Sequence, residues 1–362
     1  MKVLAALSGG VDSSVAAALL ADAGHEVVAV TLKLWGGDSD TGCCSVSDVD
    51  DARRSADRLG VEHHVWNYAE EFERHVVEPY VEAHRQGITP NPCVECNRHL
   101  KFDLLLERAE LLGFEAVATG HHARRVQLDD GSWRLARGAD PQKDQSYVLH
   151  PLVSIGVDRV LFPIGHLTKP QVRAIAADRG LRTASKPDSQ DVCFITRASG
   201  RASFLGDRIP LRSAPVIDTH GTVVGRTDAV ETVTIGQRRG LHLAGGSEPR
   251  FVLDVDVDTS TPSVRVGSAQ DLLVDQLRLD RVEWAAHPGE VSNDSADGGW
   301  GSVTVDVQVS AHGDTAAATV EPLGRDGAVA RWSAPHRRVA PGQSVVFYNG
   351  DLVVGAGVAS RH

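Results

Sequence analysis

The chain has 362 residues, of which 42% are hydrophobic and 23% are charged. This composition is close to the globular average and excludes a chain that is disordered or collagen-like throughout. The length predicts two or three domains. The net charge of −11, from 37 Lys and Arg against 48 Asp and Glu, argues against a surface built for unspecific nucleic-acid binding, although a local basic track remains compatible with it.

The apolar runs of the sequence are short. Val15–Ala21 falls well below the ~20 residues that a membrane span needs. The apolar start Met1–Leu7 is interrupted by Ser8, which leaves too little for the core of a signal peptide. We therefore expect a cytoplasmic protein without a membrane partner. In that reducing compartment the five cysteines favour catalysis, sulfur chemistry or metal binding over structural disulfides.

Residues 1–197 alternate short apolar strands with helical stretches. The predicted strands are Lys2–Leu7, Val27–Leu34, Val61–Trp66 and Glu115–Thr119, and the predicted helices are Ser13–Ala23, Asp48–Leu59 and Leu100–Leu112. This alternation predicts an α/β fold, a parallel sheet covered by helices on both faces. Ligands of such sheets bind at the carboxyl ends of the strands.

The second half of the chain has a different pattern. Short β-rich runs separated by Gly and Pro predict antiparallel sandwich or barrel modules. The predicted strands include Phe251–Val257, Val264–Val266, Val303–Val309, Ala316–Val320, Ala328–Trp332 and Ser344–Tyr348. The segment Ala286–Gly301, rich in Gly, Ser and Asp, is expected to form a surface loop.

A Ser- and Gly-rich segment, Leu7–Ser14, lies between the first predicted strand and the first predicted helix. Glycines let the backbone approach a phosphate, and a helix start offers N–H groups to an anion. The segment lacks the lysine of a Walker A loop, and its order S-G-G-x-D-S is that of enzymes that split ATP into AMP and pyrophosphate. Asp12 would hold the loop or bind Mg²⁺. The alternative is a strand-to-helix turn capped by Ser and Asp.

Two cysteine segments carry further chemical signals. Cys93 and Cys96 form a Cys-x-x-Cys pair beside a predicted helix start. The pair fits a redox pair, half a zinc site, two ligands of an iron–sulfur cluster or two ordinary reduced cysteines in a loop. Cys193 alone reads as a small buried apolar residue. Only together with Cys96, in an ATP-splitting domain, does it suggest a sulfur relay.

Other polar clusters admit two readings each. His121 and His122 follow a predicted strand. They either contact a ligand or form a polar turn whose hydrogen bonds are made within the protein. The run Lys143–Tyr147 is either a nucleotide contact or a surface turn. Arg238 and Arg239, flanked by glycines, form a phosphate clamp or a solvated basic turn. A further basic cluster on the last module comprises Arg331, His336, Arg337 and Arg338.

In this order the motifs resemble the tRNA-specific 2-thiouridylase family (MnmA, also called TrmU). The resemblance covers nearly the whole chain, and the joint occurrence of its motifs is specific although each motif alone is not. The matching segments are SGGVDSSV from Ser8, GCCS from Gly42, DDAR from Asp50, TPNP and CN between Thr89 and Asn97, GHHA from Gly120, KDQSYVL from Lys143, CFI from Cys193, TIGQRRGL from Thr234 and PGQSVVFYNGD from Pro341.

The resemblance implies three domains and a reaction. Residues 1–197 would form an adenine-nucleotide α-hydrolase-like (PP-loop) domain, 198–270 a small central β domain and 271–362 a C-terminal β-barrel. The implied reaction is 2-thiolation of the wobble uridine (position 34) of tRNA. ATP adenylates the oxygen on carbon-2 of the uracil, pyrophosphate leaves, and sulfur then displaces AMP.

The resemblance also implies roles for residues of this chain. Cys193 would carry the sulfur as a persulfide, and Cys96 would release it through a transient Cys96–Cys193 disulfide. The implied ATP site consists of Ala6, Leu7, Ser8, Gly9, Gly10, Val11, Asp12, Ser13, Leu32 and Gly120. The implied tRNA contacts are Lys143, Asp144, Gln145, Arg238 and Arg239. Implied partners are the tRNA anticodon loop and a sulfur-donor protein such as a cysteine desulfurase.

Two departures from the family pattern leave alternatives open. Cys93 stands where many relatives have Asp, so that Cys93, Cys96 and Cys193 could instead hold a [4Fe–4S] cluster that carries the sulfur; we rank the persulfide relay first. Ser310-Ala311-His312 replaces an expected Arg-Tyr-Arg stretch, which weakens the case for a tRNA contact there. Competing functions are an amide-forming ATP pyrophosphatase and a non-enzymatic RNA- or metal-binding protein. Cys43 and Cys44 have no assigned role beyond an expected structural one.

Overall fold

The structure is a computed structural model that describes residues 1–35, 45–188, 192–195, 200–243, 248–258, 260–285 and 301–361. Cys43, Cys44 and almost all of the expected surface loop 286–301 lie outside the described residues. The chain divides into two compact units. The first comprises Met1–Val77, Pro92–Thr196 and Asp351–Val353, and the second comprises Glu78–Asn91, Arg197–Gly350 and Val354–His362.

The helices of the described chain are short, apart from three. They are α1 Val11–Asp22, α2 Val46–Leu59, α3 Ala69–Phe72, α4 Glu78–Arg85, α5 Pro92–Glu95, α6 Leu105–Leu111, α7 Leu152–Ile155, α8 Lys169–Asp178 and α9 Gly200–Gly206. Two π-helical segments, Glu73–Val77 and Cys96–Leu104, and three 3₁₀ turns, Ser146–Leu149, Arg182–Ser185 and Val230–Thr232, complete the helical structure.

The strands of the described chain range in length from the two residues of β7 to the 12 of β12. In chain order they are β1 Lys2–Ala6, β2 Glu26–Lys33, β3 Glu62–Asn67, β4 Ala116–Ala118, β5 Ala123–Gln127, β6 Trp133–Arg137, β7 Val160–Leu161, β8 Ala214–Ile217, β9 Val223–Thr227, β10 Phe251–Asp256, β11 Ser263–Gly267, β12 Leu273–Trp284, β13 Val303–Gln308, β14 Ala316–Leu323, β15 Gly327–Arg337, β16 Ser344–Asn349 and β17 Leu352–Ala359.

The first unit contains the predicted parallel sheet. Its strands lie in the order β3-β2-β1-β4-β7, and every pair is parallel. The chain runs outward from β1 to β2 and β3 and returns on the other side as β4, so the strand order reverses between β1 and β4. In α/β sheets, ligands bind outside the carboxyl ends of the strands at such a reversal. The α/β fold expected for the first half is thereby confirmed.

Helix α1 lies within the core of the first unit. Its sequence is apolar on all sides, as expected of a helix that is covered all round. Ala17 and Leu20 pack with the sheet residues Val3 and Ala29. Val15 on another face packs with residues of α8. The helix begins at Val11, two residues before the predicted start, because Gly10 takes the N-cap position in an extended conformation.

The first unit also contains a β-hairpin that the sequence analysis did not predict. Strands β5 and β6 pair antiparallel around a turn at Gly131, and Leu352 pairs with Ala136 of β6. The helix predicted at Leu100–Leu112 begins earlier, since helical structure runs through α5, the segment Cys96–Leu104 and α6. Pro92 is compatible with this early start because proline is tolerated in the first turn of a helix.

The second unit consists mainly of β-structure. Strands β10, β11, β8 and β9 form a sheet in that order, with a core that includes Val216, Val252 and Val264. The pair β11–β8 is parallel, which corrects the expectation of purely antiparallel modules. A parallel pair needs a long connection, and residues 218–262, which include β9 and β10, supply it between β8 and β11.

The six strands at the chain's end form a closed barrel. They follow the order β12-β15-β14-β13-β16-β17, and β17 pairs back onto β12, from Leu279↔Ala359 to Trp284↔Gly355. Inward-facing side chains such as Leu279 and Phe347 fill it. The expected C-terminal β-barrel is confirmed. Within the described ranges, no helix is long and apolar enough to cross a membrane.

Gly120 fixes the distance between the loop after β4 and the start of α1. A Cβ at this position would lie 2.4 Å from the backbone nitrogen of Ser13. We predict that Gly120→Ala lowers the free energy of unfolding by about 1–3 kcal/mol, because backbone atoms must shift. Urea denaturation measures this. Gly10→Ala is the control, since its Cβ meets only the Ser8 hydroxyl, at 3.4 Å. Equal stability of the two variants would contradict the prediction.

Candidate functional site

The Ser- and Gly-rich loop is folded back onto the first turn of α1. The Ser8 N–H donates to the Ser13 hydroxyl at 3.1 Å, and that hydroxyl donates to the Gly10 carbonyl at 3.2 Å. The Ser14 hydroxyl contacts the Gly10 carbonyl at 2.9 Å and the Ser55 hydroxyl at 3.1 Å. These contacts hold the loop against the first turn of α1 and against α2.

Gly9 allows α2 to approach this loop. Its φ of +74° lies in the left-handed region, where glycine is favoured. A Cβ there would lie 2.2 Å from the carbonyl oxygen of Asp48, in the first turn of α2. The glycine expected to give a phosphate access is thus also required by helix packing.

The residues predicted to bind ATP converge at the carboxyl edge of the sheet. Gly120 follows β4 and contacts the start of α1, while Leu32 lies at the end of β2, the neighbour of β1. Next to Leu32, the Thr31 hydroxyl donates to the Leu7 carbonyl at 2.8 Å and lies 2.8 Å from His63 Nε2. The predicted segment 6–13, Leu32 and Gly120 therefore surround one edge of the sheet.

Asp12, in the first turn of α1, is held by two basic side chains. Lys169 Nζ donates to its two carboxylate oxygens at 2.8 and 2.6 Å, and His122 Nε2 lies 3.3 Å from Oδ1. Burial alone would raise the pKa of Asp12, but the hydrogen bonds from His122 and Lys169 outweigh it and lower the pKa. Asp12 is therefore ionised and neutralised by its neighbours. His121, the adjacent histidine, instead contacts the Thr119 hydroxyl at 2.9 Å.

Asp188 is the second carboxylate of this cluster. It accepts hydrogen bonds from Lys143 at 2.7 Å and from Arg173 at 2.8 Å, and Lys169 Nζ lies 2.9 Å from its Oδ1. Burial would raise the pKa of Asp188, yet the hydrogen bonds from Lys143 and Lys169 lower it well below the usual range. Lys169 thus joins Asp12 of the loop to Asp188, five residues before Cys193.

Lys186 connects the loop to α2. Its Nζ donates to the Gly9 carbonyl at 2.9 Å and to Asp48 and Asp51 at 2.7 Å each. Burial would lower the pKa of Lys186, but the hydrogen bonds to the two aspartates raise it. The Lys186 side chain therefore remains positively charged beside the turn at Gly9.

Sequence reasoning missed Lys169, Lys186 and Arg173. They lie far along the chain from residues 8–14, and no local motif marks them. The one available signal for Lys169 is a helix start, because Thr168 and Gln171 form a capping box around it.

The three predicted tRNA contacts after β6 have partners within the first unit. Lys143 pairs with Asp188. Asp144 accepts hydrogen bonds from Arg137, the Gly138 N–H and Ser146. Gln145 Oε1 accepts from the His122 N–H at 2.9 Å. Lys143 and Gln145 are partly exposed, whereas the Asp144 side chain is only 8% exposed. Gln145 thus helps to fix the loop that carries His122.

The two cysteines of the predicted relay belong to segments that contact the same helix. Cys96 is buried at the start of the π-helical segment, which packs against α3. Cys193 is half-buried, and the next residue, Phe194, lies in an aromatic cluster with Phe72 of α3 and Trp35, at centroid distances of 5.7 and 6.1 Å. Cys93, in α5, is half-buried.

These thiols do not form a metal site in the structure. Among the residues that it describes, which include Cys93, Cys96 and Cys193, no group of three or more His, Cys, Asp or Glu side chains is placed to hold a metal ion.

The second unit contains a basic cleft of about 700 Å³. Thr234 and Ile235 line one part of it, and His336, Arg337 and Arg338 line another. Arg238 and Arg239 follow Thr234 on an exposed turn. The segment that leads to Arg238 and Arg239 therefore borders the cleft that Arg337 and Arg338 line.

Comparison with known proteins covers the entire chain. Three family models match, described as a tRNA methyl transferase HUP domain (residues 1–197), a tRNA methyl transferase PRC-barrel domain (202–267) and an aminomethyltransferase β-barrel domain (274–359). The tRNA-specific 2-thiouridylase MnmA of Mycolicibacterium paratuberculosis is 48% identical over 98% of each chain. That of Mycobacteroides abscessus is 46% identical over 100% of each chain.

The chain belongs to the MnmA family. The resemblance found in the motifs is confirmed by these full-length relatives. Among solved structures, the U34-tRNA thiolase NcsA from Methanococcus maripaludis with its [4Fe–4S] cluster matches 57% of this chain and 63% of its own, at 18% identity and a TM-score of 0.36, too slight a likeness to bear on MnmA chemistry.

The ion pairs of Asp188 predict a pH-dependent stability. Because the pKa of Asp188 is lowered, its carboxyl group takes up a proton at a higher pH in the unfolded chain than in the folded one. The contribution of Asp188 to the free energy of unfolding is therefore present above the ordinary carboxyl pKa and is lost as the pH falls below it. We predict that Asp188→Asn costs about 1 kcal/mol at pH 7, because water screens a carboxylate that is about one-third exposed. The difference from wild type should shrink between about pH 5 and pH 3.

Urea unfolding at several pH values measures this difference. Asp50→Asn is the control, since Asp50 is exposed and its pair with Arg53 spans 3.8 Å. A wild-type advantage over Asp188→Asn that is constant from pH 7 to pH 3 would contradict the assignment.

Proposed function

We propose that this protein is a tRNA-uridine 2-sulfurtransferase that thiolates the wobble uridine at position 34. The observation that carries the proposal is the Ser-Gly-Gly-Val-Asp-Ser loop at the reversal of a parallel sheet, in a chain 46–48% identical over its full length to proteins named tRNA-specific 2-thiouridylase. The matching family models are described as methyl transferase domains. Methyl transfer needs neither a pyrophosphate loop nor a pair of thiols.

The chemistry explains why ATP is consumed. A uracil carbonyl oxygen is a poor leaving group, and transfer of AMP to the oxygen on carbon-2 converts it into a phosphate ester. Pyrophosphate leaves from the α-phosphorus, and sulfur attack on carbon-2 then expels AMP. The anticodon loop is single-stranded, so placing its base in a pocket requires little unpairing.

Residues of the first unit would bind ATP. The loop residues 8–13 offer hydroxyl and N–H donors to the phosphates, and Leu32 and Gly120 would line the adenine and ribose site. Asp12 would serve as a carboxylate ligand for Mg²⁺ carried by the phosphates once Lys169, which now contacts both of its oxygens, exchanges onto the phosphates. When bound, Mg²⁺ would neutralise phosphate charge.

The sulfur route that we propose uses two thiols. The terminal sulfur of a Cys193 persulfide bonds to carbon-2 as AMP leaves. Cys96 thiolate then attacks the Cys193 sulfur, the sulfur–sulfur bond to the uridine breaks, and 2-thiouridine departs as the Cys96–Cys193 disulfide forms. The transferred sulfur gains two electrons, the two thiols lose them, and an external thiol reduces the disulfide. The buried Cys96 and the half-buried Cys193, both on segments that contact α3, support this route.

The partners follow from this reaction. A persulfide requires a sulfur-donor protein such as a cysteine desulfurase, and a tRNA substrate places the enzyme in the cytoplasm. Lys143, Asp144 and Gln145 in one unit and Arg238 and Arg239 in the other are the proposed tRNA contacts. Arg337 and Arg338 in the basic cleft add phosphate-binding capacity. We also propose domain boundaries at 197/198 and 270/271.

Nucleoside analysis of tRNA from cells that lack this protein tests the proposed function. We expect loss of 2-thiouridine at position 34 and its restoration by the wild-type chain. Cys193→Ser and Cys96→Ser should fail to restore it, although both variants should still release pyrophosphate from ATP in the presence of tRNA, because adenylation needs no thiol. Unchanged 2-thiouridine in the deletion strain would refute the function.

The persulfide and cluster routes differ in iron content and in their need for Cys93. We expect anaerobically purified protein to contain much less than one iron per chain, and Cys93→Ser to keep at least half of the thiolation rate. A stable complement of about four irons and four sulfides, lost in Cys93→Ser together with activity, would favour the cluster route.

A further inference from the structure

Lys169 is a nearly buried lysine directed at the ATP-binding loop. Its side chain is 10% exposed, and its Nζ lies within 2.9 Å of carboxylate oxygens of Asp12 and Asp188. Its backbone is fixed by the capping box of α8 and by a hydrogen bond from its N–H to Asp140 Oδ2 at 2.9 Å. A flexible side chain on a fixed backbone can change partner without moving the helix.

The loop itself carries no cation for the charge that develops on the pyrophosphate. Residues 8–14 contain Ser, Gly, Val and Asp and no Lys or Arg. Lys186, the other lysine at the loop, contacts the Gly9 carbonyl and two carboxylates of α2. Lys169 is placed differently, since it bonds the loop through Asp12, in the turn that follows the glycines.

We propose that Lys169 is a catalytic residue that binds the pyrophosphate leaving group of ATP, and that Asp12 and Asp188 are positioning residues that hold it extended toward the loop. The inference rests on the proposed function. In the step concerned, the uracil oxygen bonds to the α-phosphorus, the bond to the bridging oxygen of the β-phosphoryl group breaks, and its electron pair leaves with pyrophosphate while the uracil N3 proton passes to solvent.

The positive charge of Lys169 stabilises that leaving group as negative charge accumulates on it. Pre-positioned cations at developing charge are among the largest contributions to catalysis. Since AMP lacks the β- and γ-phosphoryl groups, Lys169 should distinguish pyrophosphate from AMP. A purely structural lysine would not.

The test measures pyrophosphate release from ATP with unmodified tRNA, and inhibition by added inorganic pyrophosphate and by AMP. For Lys169→Met we expect release to slow about 100-fold. The inhibition constant of pyrophosphate should rise at least tenfold, whereas that of AMP should stay within twofold. Lys169→Arg keeps the charge and should recover part of the rate, with a pyrophosphate constant at least threefold above that of wild type and below that of Lys169→Met.

Lys2→Met is the matched control. It removes one lysine at the opposite end of β1, where Nζ lies 4.6 Å from the Phe114 ring centroid, and should leave both inhibition constants at wild-type values. If Lys169→Met does not fold, Lys169→Arg decides, because it keeps a cation between the two carboxylates. A pyrophosphate constant within twofold of wild type in the folded variant overturns the proposal. Absence of pyrophosphate release by the wild-type protein instead refutes the proposed function.

Discussion

The ion pair between Asp12 and Lys169 resolves a conflict within the site. A loop that receives a triphosphate should be electropositive, yet the first turn of its helix carries an aspartate. With Lys169 on its two oxygens and His122 beside one of them, that charge is neutralised without being removed. Lys169, at the start of α8, also contacts Asp188, five residues before Cys193. The side chain of Lys169 therefore links α1, α8 and the segment that ends at Asp188.

Features encoded by neighbouring residues could be read from the sequence. The parallel strands, the loop after β1 and the barrel strands each depend on local apolar patterns and on nearby glycines. The structure confirms the α/β and barrel folds. Most boundaries move by one or a few residues, but the helix predicted from Leu100 begins eight residues earlier, at Pro92. Helix α1, for example, starts at Val11 because Gly10 takes the N-cap position without a capping side chain, so that the Ser and Asp signals of a helix start did not mark it.

The features of the site that could not be predicted from the sequence depend on contacts between residues far apart in the chain. Lys169 reaches Asp12 across 157 positions and Lys186 reaches Gly9 across 177, and no periodicity records such pairs. Cys193 is a related case, since its sequence context, Phe-Ile, suggested a buried apolar residue. In the structure Phe194 supplies the buried anchor, in contact with Trp35 and Phe72, while Cys193 beside it stays half-buried. The aromatic residue thereby fixes the backbone of a thiol that keeps partial access to solvent.

The paired state of the basic residues bears on how a protein of net charge −11 can select anionic ligands. Lys169 contacts three carboxylate oxygens, and Lys186 contacts two carboxylates and the Gly9 carbonyl. An ammonium group has three N–H donors, so an incoming anion must displace one of these acceptors to bind either lysine. Such an exchange contributes little binding free energy for a ligand with one negative charge, because one ion pair replaces another at a similar desolvation cost. A pyrophosphate group presents several charged oxygens at once and can replace more than one carboxylate contact. The carboxylates thus lower the affinity of this edge of the sheet for anions in general. They lower it least for an anion with several charges, such as pyrophosphate, and so favour selective binding of it.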